Sequence, residues 1–253
     1  RCFVRRRGRT VPHERKKRGG AVRSNFRKIV SRIALWFGVI AVVFGGAMLF
    51  RGKHYAWISL CVSVLVLVPV FRSFEKRDTS SKELVILCVM IAISAAGRFI
   101  FAWLPGFKPV TAITVITAMW LGRDAGFAVG ALSAAVSNFY FGQGPWTPFQ
   151  MLAWGLIGFS AGVLAGPMRK SRAALCVFGA AAGVMFSLLM DIWTVLWADG
   201  TFNLARYAAA VVSALPVTAE YAVSNVIFLL ILANPIGEKL ERMKKKYGLF
   251  VSA

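Results

Sequence analysis

The chain has 253 residues, of which 58% are hydrophobic and only 16% charged. That apolar share exceeds the roughly 45–50% of soluble domains, and uncharged runs approach the ~20 residues that a spanning helix needs, so a soluble protein is excluded in favour of an all-α polytopic membrane protein. The net charge of +21 does not indicate a nucleic-acid partner, because the basic residues cluster at both ends and in alternate loops, as orientation in a membrane requires.

The chain opens with a basic segment, residues 1–28, that holds Arg5, Arg6, Arg7, Arg9, Arg15, Lys16, Lys17 and Arg18. Such a block of like charge is expected to be a disordered cytoplasmic anchor, too polar for a signal peptide. Residue 1 is arginine and the first methionine is Met48, so the chain reads as a fragment, a processed form or a gene product with a doubtful start. Two apolar spans, about 29–50 and about 55–71, then form an N-terminal transmembrane hairpin around Arg51–His54. The charged linker 72–82 follows, with Thr79, Ser80 or Ser81 placed to cap the next helix.

Six further spans are expected, at about 83–102, 109–122, 124–140, 149–167, 172–197 and 207–232. Together they form a core, residues 83–234, closed by Pro235 and a basic C-terminal tail over 235–253. Placing both termini in the cytoplasm puts most arginines and lysines inside, including Arg72, Arg123, Arg169, Arg172 and Lys244–Lys246. Trp57, Trp103, Trp146, Trp193 and Trp197 then fall at the outer surface, some of them as interface-belt residues. The same face receives the stretch FYFGQGPWTPFQ at 139–150, which has no charge and cannot continue a helix through Gly142, Gly144, Pro145 and Pro148. It reads as a binding or interface element between two apolar spans.

Small residues recur every fourth position at Gly122, Gly126, Gly130 and Ala134, at Gly158, Gly162 and Gly166, and at Ala92 and Ala96. Such stripes let helix backbones approach in lipid, where apolar side chains gain nothing by pairing. Arg98, Asp191 and Glu220 are costly inside a span and are expected to face a cavity or one another. The four cysteines form no C-x-x-C pair, and the two histidines, His13 and His54, lie in the tail and a loop. No hydrolase, zinc-protease or ATP-binding motif is present, so no catalysis, cofactor or metal is expected, and active transport would need energy from another protein.

Residues 92–114 (AISAAGRFIFAWLPGFKPVTAIT), 126–151 (GFAVGALSAAVSNFYFGQGPWTPFQM) and 154–166 (WGLIGFSAGVLAG) carry a likeness in a fixed order. They resemble the substrate-binding S component of energy-coupling factor (ECF) vitamin transporters, over about 80–247, and within that family look most like the cobalamin-type members. The resemblance implies a six-helix core that captures a vitamin from outside the cell membrane of a bacterium. It then docks on a transmembrane coupling protein bound to two ABC ATPases. Ala92 and Ala96 match the face that contacts the coupling protein, and residues 103–108 match the loop that gates the pocket. The N-terminal hairpin is a departure from the six-helix pattern.

A vitamin pocket needs an apolar, aromatic-lined cavity with a few fixing polar groups. The outer ends of the spans supply Arg98, Trp103, Lys108, Asn138, Tyr140, Gln143, Trp146, Gln150, Trp154, Asp191 and Trp197 as substrate-binding candidates. Two rivals stay open on the residues alone. One is a self-sufficient secondary transporter or channel using Arg98, Asp191 and Glu220 as an ion relay. The other is a membrane sensor or scaffold with a basic interaction tail.

Overall fold

The computed structural model describes residues 80–250. The basic segment 1–28, the hairpin 29–71 and linker residues 72–79 lie outside the described residues, as do 251–253 of the C-terminal segment. The described part holds seven α-helices: α1 Ser81–Ile100, α2 Val110–Leu121, α3 Arg123–Phe141, α4 Thr147–Val163, α5 Ala165–Lys170, α6 Arg172–Asp199 and α7 Leu204–Tyr247. Three of them, α1, α6 and α7, are long and apolar enough to cross a membrane, and α2 is a shorter apolar helix. The protein is therefore an all-α, multi-span membrane protein.

Helix α2 is the axis of the bundle. Every residue from Val110 to Leu121 except Trp120 is buried, as expected of a helix apolar on all sides. Its sequence VTAITVIT is rich in β-branched residues, a weak helix preference that enclosure by α1, α3, α4 and α7 overrides. Thr117 hides its hydroxyl by donating to the Ile113 carbonyl at 2.8 Å. A single residue, Gly122, turns α2 into α3 with φ of 105°, a backbone state in which a side chain would be strained.

Helices α3 and α4 cross at their small residues. A methyl group added at Gly158 would collide with the Gly126 carbonyl, and one at Gly130 with the Trp154 carbonyl. Gly166 lies at no such contact: nothing sits within 4 Å of where its side chain would be. Gly158→Val is accordingly expected to lower the melting temperature in detergent, the overpacking costing about 1–3 kcal/mol. Gly166→Ala should leave the melting temperature unchanged. Equal melting curves for the two variants would show that the α3–α4 crossing tolerates added bulk.

Two helix boundaries differ from the expected ones. The span expected over 149–167 is α4 and the short α5, broken at Leu164. Pro167 has no N–H to offer the Val163 carbonyl, so the ladder must open there. The last helix does not stop before Pro235 but runs from Leu204 to Tyr247 with Pro216 and Pro235 inside it. Long-range contacts hold its far end in line. Trp120 packs on Gly237, Leu240 is buried, Lys244 Nζ donates to the Trp120 carbonyl at 3.3 Å, and Arg169 pairs with Glu241 at 2.9 Å. At 44 residues, α7 is about 66 Å long, roughly twice the hydrocarbon thickness. Part of it therefore extends beyond the hydrocarbon, and its terminal lysines can stay hydrated.

Capping is local and conventional. Ser80 caps α1, Ser171 accepts from the Ala174 N–H at the start of α6, and Asn203 accepts from Ala205 and Arg206 at the start of α7. Gly200, in the left-handed region, ends α6. The α6–α7 turn is closed by a bidentate Arg206–Asp199 pair with a shortest distance of 2.8 Å.

Candidate functional site

The site lies at the N-terminal end of α2, whose 12 residues span only about 18 Å. A cavity of about 250 Å³ lies there. Arg98 from α1, Gly106 and Lys108 from the following loop, Val110 and Thr111 from α2, and Gln150 and Trp154 from α4 line it. Helices α6 and α7 supply the remaining wall, including Phe186, Asp191, Tyr221 and Asn225.

One side of this cavity is aromatic. Trp154 stacks on Phe186 with centroids 4.7 Å apart and planes 23° from parallel, and Phe186 meets Tyr221 edge-on at 5.3 Å. The indole N–H of Trp154 donates to Thr111 Oγ1 at 3.2 Å, which fixes the ring against α2. Such rigid aromatic surface suits a flat, partly apolar ligand.

The polar groups are held by a network reaching back into the 139–150 stretch. Arg98 is only 7% exposed, and its Nη1 donates to Ser137 Oγ at 2.5 Å and to Asn138 Oδ1 at 2.7 Å. Its guanidinium also lies over the rings of Phe141 and Trp154, at 4.5 and 5.3 Å. Asn138, with no exposed surface, donates in turn to Thr147 Oγ1 and Gln150 Oε1, both at 2.8 Å. Thr147 donates to Gln143 Oε1, so the loop between α3 and α4 is tied through Asn138 to the cavity arginine.

Two buried atoms in this cavity have no hydrogen-bond partner: Arg98 Nε and Asp191 Oδ2. Asp191 is 8% exposed, and among the described residues no ion pair joins it to Arg98. A buried polar atom gains about 1–3 kcal/mol when it finds a partner, more when charged, so Arg98 Nε and Asp191 Oδ2 are a donor and an acceptor open to a ligand with complementary groups. Lys108 adds a second cation near Arg98. Burial first, and Arg98 second, push its ammonium below the ordinary lysine range.

Of the residues singled out in the sequence, Arg98, Lys108, Gln150, Trp154 and Asp191 converge on this cavity. Asn138 stands behind it and orients Arg98. Trp103 is 75% exposed, and Tyr140 is also exposed, stacking edge-on against Phe99. Gln143 is exposed and donates to the Ala135 carbonyl, while the Trp146 ring lies over Gly144 within its own loop. Trp197 packs on Trp193 with one face exposed. None of these five lines the cavity. Glu220, expected to face a cavity or another charge, is instead an exposed residue packed against Gly106. Ala92 and Ala96 are exposed on the outward face of α1.

Sequence reasoning did not single out Thr111, Phe186, Ser187, Tyr221 or Asn225. A usable signal was present: Ser187 with Asp191, and Tyr221 with Asn225, are polar pairs at i, i+4 spacing in otherwise apolar spans, and each pair shares one helix face.

Residues 78–242 match the family described as "ECF-type riboflavin transporter, S component". Neither a curated protein nor a solved structure matches the chain. The family match corrects the likeness to cobalamin-type S components. The matched region covers well over half of the chain, which thus belongs to the ECF-type riboflavin transporter S components, a family of substrate-binding, non-catalytic membrane subunits.

Proposed function

We propose that this chain captures riboflavin from outside the cell in the cavity between α1, α2, α4, α6 and α7. The observation that carries this reading is the pair of unsatisfied buried groups, Arg98 Nε and Asp191 Oδ2, in an aromatic-walled cavity of about 250 Å³. That volume is just below the ~300–1,000 Å³ of pockets for drug-sized ligands, so a flavin ring enters with modest opening of the 101–109 loop. Riboflavin offers carbonyl acceptors along one ring edge and hydroxyl donors on its ribityl chain, complementary to a cation and a carboxylate in one site. The ligand contacts are Arg98, Lys108, Gln150, Trp154 and Asp191, joined by Thr111, Phe186, Ser187, Tyr221 and Asn225.

In this reading residues 83–234 are a six-helix S-component core, preceded by the two-span hairpin 29–71 and flanked by basic segments on the cytoplasmic side of the plasma membrane. Delivery requires an ECF coupling protein and two ABC ATPases, which the chain meets through the α1 face bearing Ala92 and Ala96. The exposure of both alanines supports that role. The displacement of Glu220 from the cavity weighs against a three-residue ion relay through Arg98, Asp191 and Glu220.

The test is to purify the full chain in detergent, identify any co-purifying small molecule by mass spectrometry, and titrate riboflavin while following its fluorescence. Saturable one-to-one quenching is the expected result. Purified folded protein that leaves flavin fluorescence unchanged, or that carries a different vitamin, would overturn the riboflavin assignment.

A further inference from the structure

Helix α7 is held along only part of its length. From Ser224 inward it buries Asn225, Phe228, Leu229 and Leu240, whereas none of residues 204–223 is buried. It packs on α2 and α6, and α2 begins beside Ser224, whose Oγ accepts from the Lys108 N–H at 3.0 Å. Above that level α6 is its main helical neighbour. The facing half of α6 is itself fixed: Asp191, Ile192, Trp193, Val195 and Leu196 are buried, and Trp193 packs on Phe149 of α4 at 5.2 Å. Val212, Leu215 and Val223 of α7 are exposed instead, and lipid gives an apolar helix face no preferred position.

Pro216 lies within this loosely held part. It has no N–H for the Val212 carbonyl and its ring crowds that carbonyl, so the helix ladder is weakened at one place. Pro235 makes a similar break, but Trp120 packed on Gly237 and the Lys244 bond to the Trp120 carbonyl hold α7 beyond it. On the inner side of Pro216 the α6–α7 crossing is tight. A methyl group at Gly183 would meet the Ala222 nitrogen at 2.7 Å, Asn225 donates to the Gly179 carbonyl at 3.2 Å, and the Ser187 and Thr218 hydroxyls bond to each other. On the outer side, the Tyr207 hydroxyl ties the helix to α6 by donating to the Leu188 carbonyl at 3.1 Å. The 101–109 loop can open only modestly, because Phe101 and Phe107 pack on Phe228 at 5.0 and 4.9 Å while Lys108 is bonded to Ser224.

We propose that residues 204–215 of α7 are a gate that swings about Pro216, away from the cavity that they line through Ala214, and that the Tyr207–Leu188 contact is its latch. The swing widens the mouth between α7 and the 101–109 loop, while α6 and the inner part of α7 keep their places. The gate rests on the riboflavin reading for the identity of what passes, but not for the movement itself.

Two measurements on the full chain in nanodiscs decide the matter. The first needs no ligand. In a chain with Cys2, Cys61, Cys88 and Cys176 replaced by serine, spin labels are attached at Phe139→Cys and Val212→Cys, both exposed positions. Their distance distribution should be broader than that of a pair at Phe139→Cys and Ile227→Cys, which lies on the inner side of the proline. Pro216→Ala should narrow it and Tyr207→Phe should broaden it further. A 139–212 distribution as narrow as the 139–227 one, or unmoved by both variants, overturns the gate. The second measurement follows riboflavin association and dissociation by stopped-flow fluorescence. Pro216→Ala adds one backbone hydrogen bond that opening must break, so both rates should fall about fivefold. Tyr207→Phe removes the latch, and both should rise by about as much. The Kd should stay within about twofold in each variant, since opening costs the same in the free and the loaded protein. Unchanged rates in both variants overturn the gate and leave the riboflavin reading standing. A changed Kd with an unchanged association rate makes these residues part of the pocket wall and overturns it too. If no flavin binds, the riboflavin reading falls, and the spin-label distances alone decide the gate.

Discussion

Arg98→Met is expected to weaken riboflavin binding by at least about thirtyfold while the protein still folds. The substitution keeps an apolar stem beside Phe141 and Trp154 and removes the guanidinium. A hydrogen bond to a charged group contributes about 1.5–3 kcal/mol, or roughly ten- to a hundredfold in affinity, and the loss of oriented partners at Ser137 and Asn138 adds to it. The ligand-free protein should lose about 1–3 kcal/mol, because the buried Asn138 Oδ1 is left without its donor, a cost partly offset by removing a buried charge with an unsatisfied Nε. The check is a pair of melting curves, with and without riboflavin. Wild type should melt higher when riboflavin is present, and Arg98→Met should melt at nearly the same temperature with and without it. Arg98→Lys should not restore binding, since an ammonium that replaces Nη1 at Ser137 and Asn138 has no second nitrogen to offer the ligand and no planar face to lie over Phe141 and Trp154. Unchanged riboflavin affinity in Arg98→Met would remove the arginine from the site.

How much of this was legible in the sequence depended on how local the cause was. The starts of α1, α2, α3 and α6 lie within two residues of expectation because Ser80, Pro109, Gly122 and Ser171 act on their own neighbours. The end of α7 was not legible: Pro235 is a local stop signal, and what overrides it is Trp120, more than a hundred residues away. The cavity follows the same rule. Arg98, Lys108 and Asp191 stand out as charges among apolar neighbours, whereas Phe186 and Tyr221 look like ordinary span residues until the α6–α7 register sets them against Trp154. The 139–150 stretch, conspicuous for its glycines and prolines, supplies only Gln150 to the cavity directly. Its larger role is indirect, since Thr147 and Gln150 hold Asn138, and Asn138 holds Arg98.

Replacing both Ala92 and Ala96 by tryptophan should abolish riboflavin uptake in cells that also express the coupling protein and ATPases, while riboflavin binding by the purified chain stays within about twofold of wild type. The two alanines lie one turn apart on the exposed face of α1, with Cys88 and Val89 beside them. The opposite face of that helix carries Met90, Ile91, Ser94 and Arg98 into the bundle. Bulk added outward therefore meets lipid in the isolated subunit and disturbs neither the core nor the cavity. In the proposed assembly the same bulk meets a partner helix. Small residues at this spacing allow close backbone approach, and contacts that depend on it are lost when the side chains grow. Val177→Trp on α6 is the control: Val177 is exposed, on a different helix, and its variant should keep both binding and uptake. Loss of binding in the alanine double variant would mean that the face supports the cavity rather than a partner. Full uptake in that variant would move the docking surface to another helix.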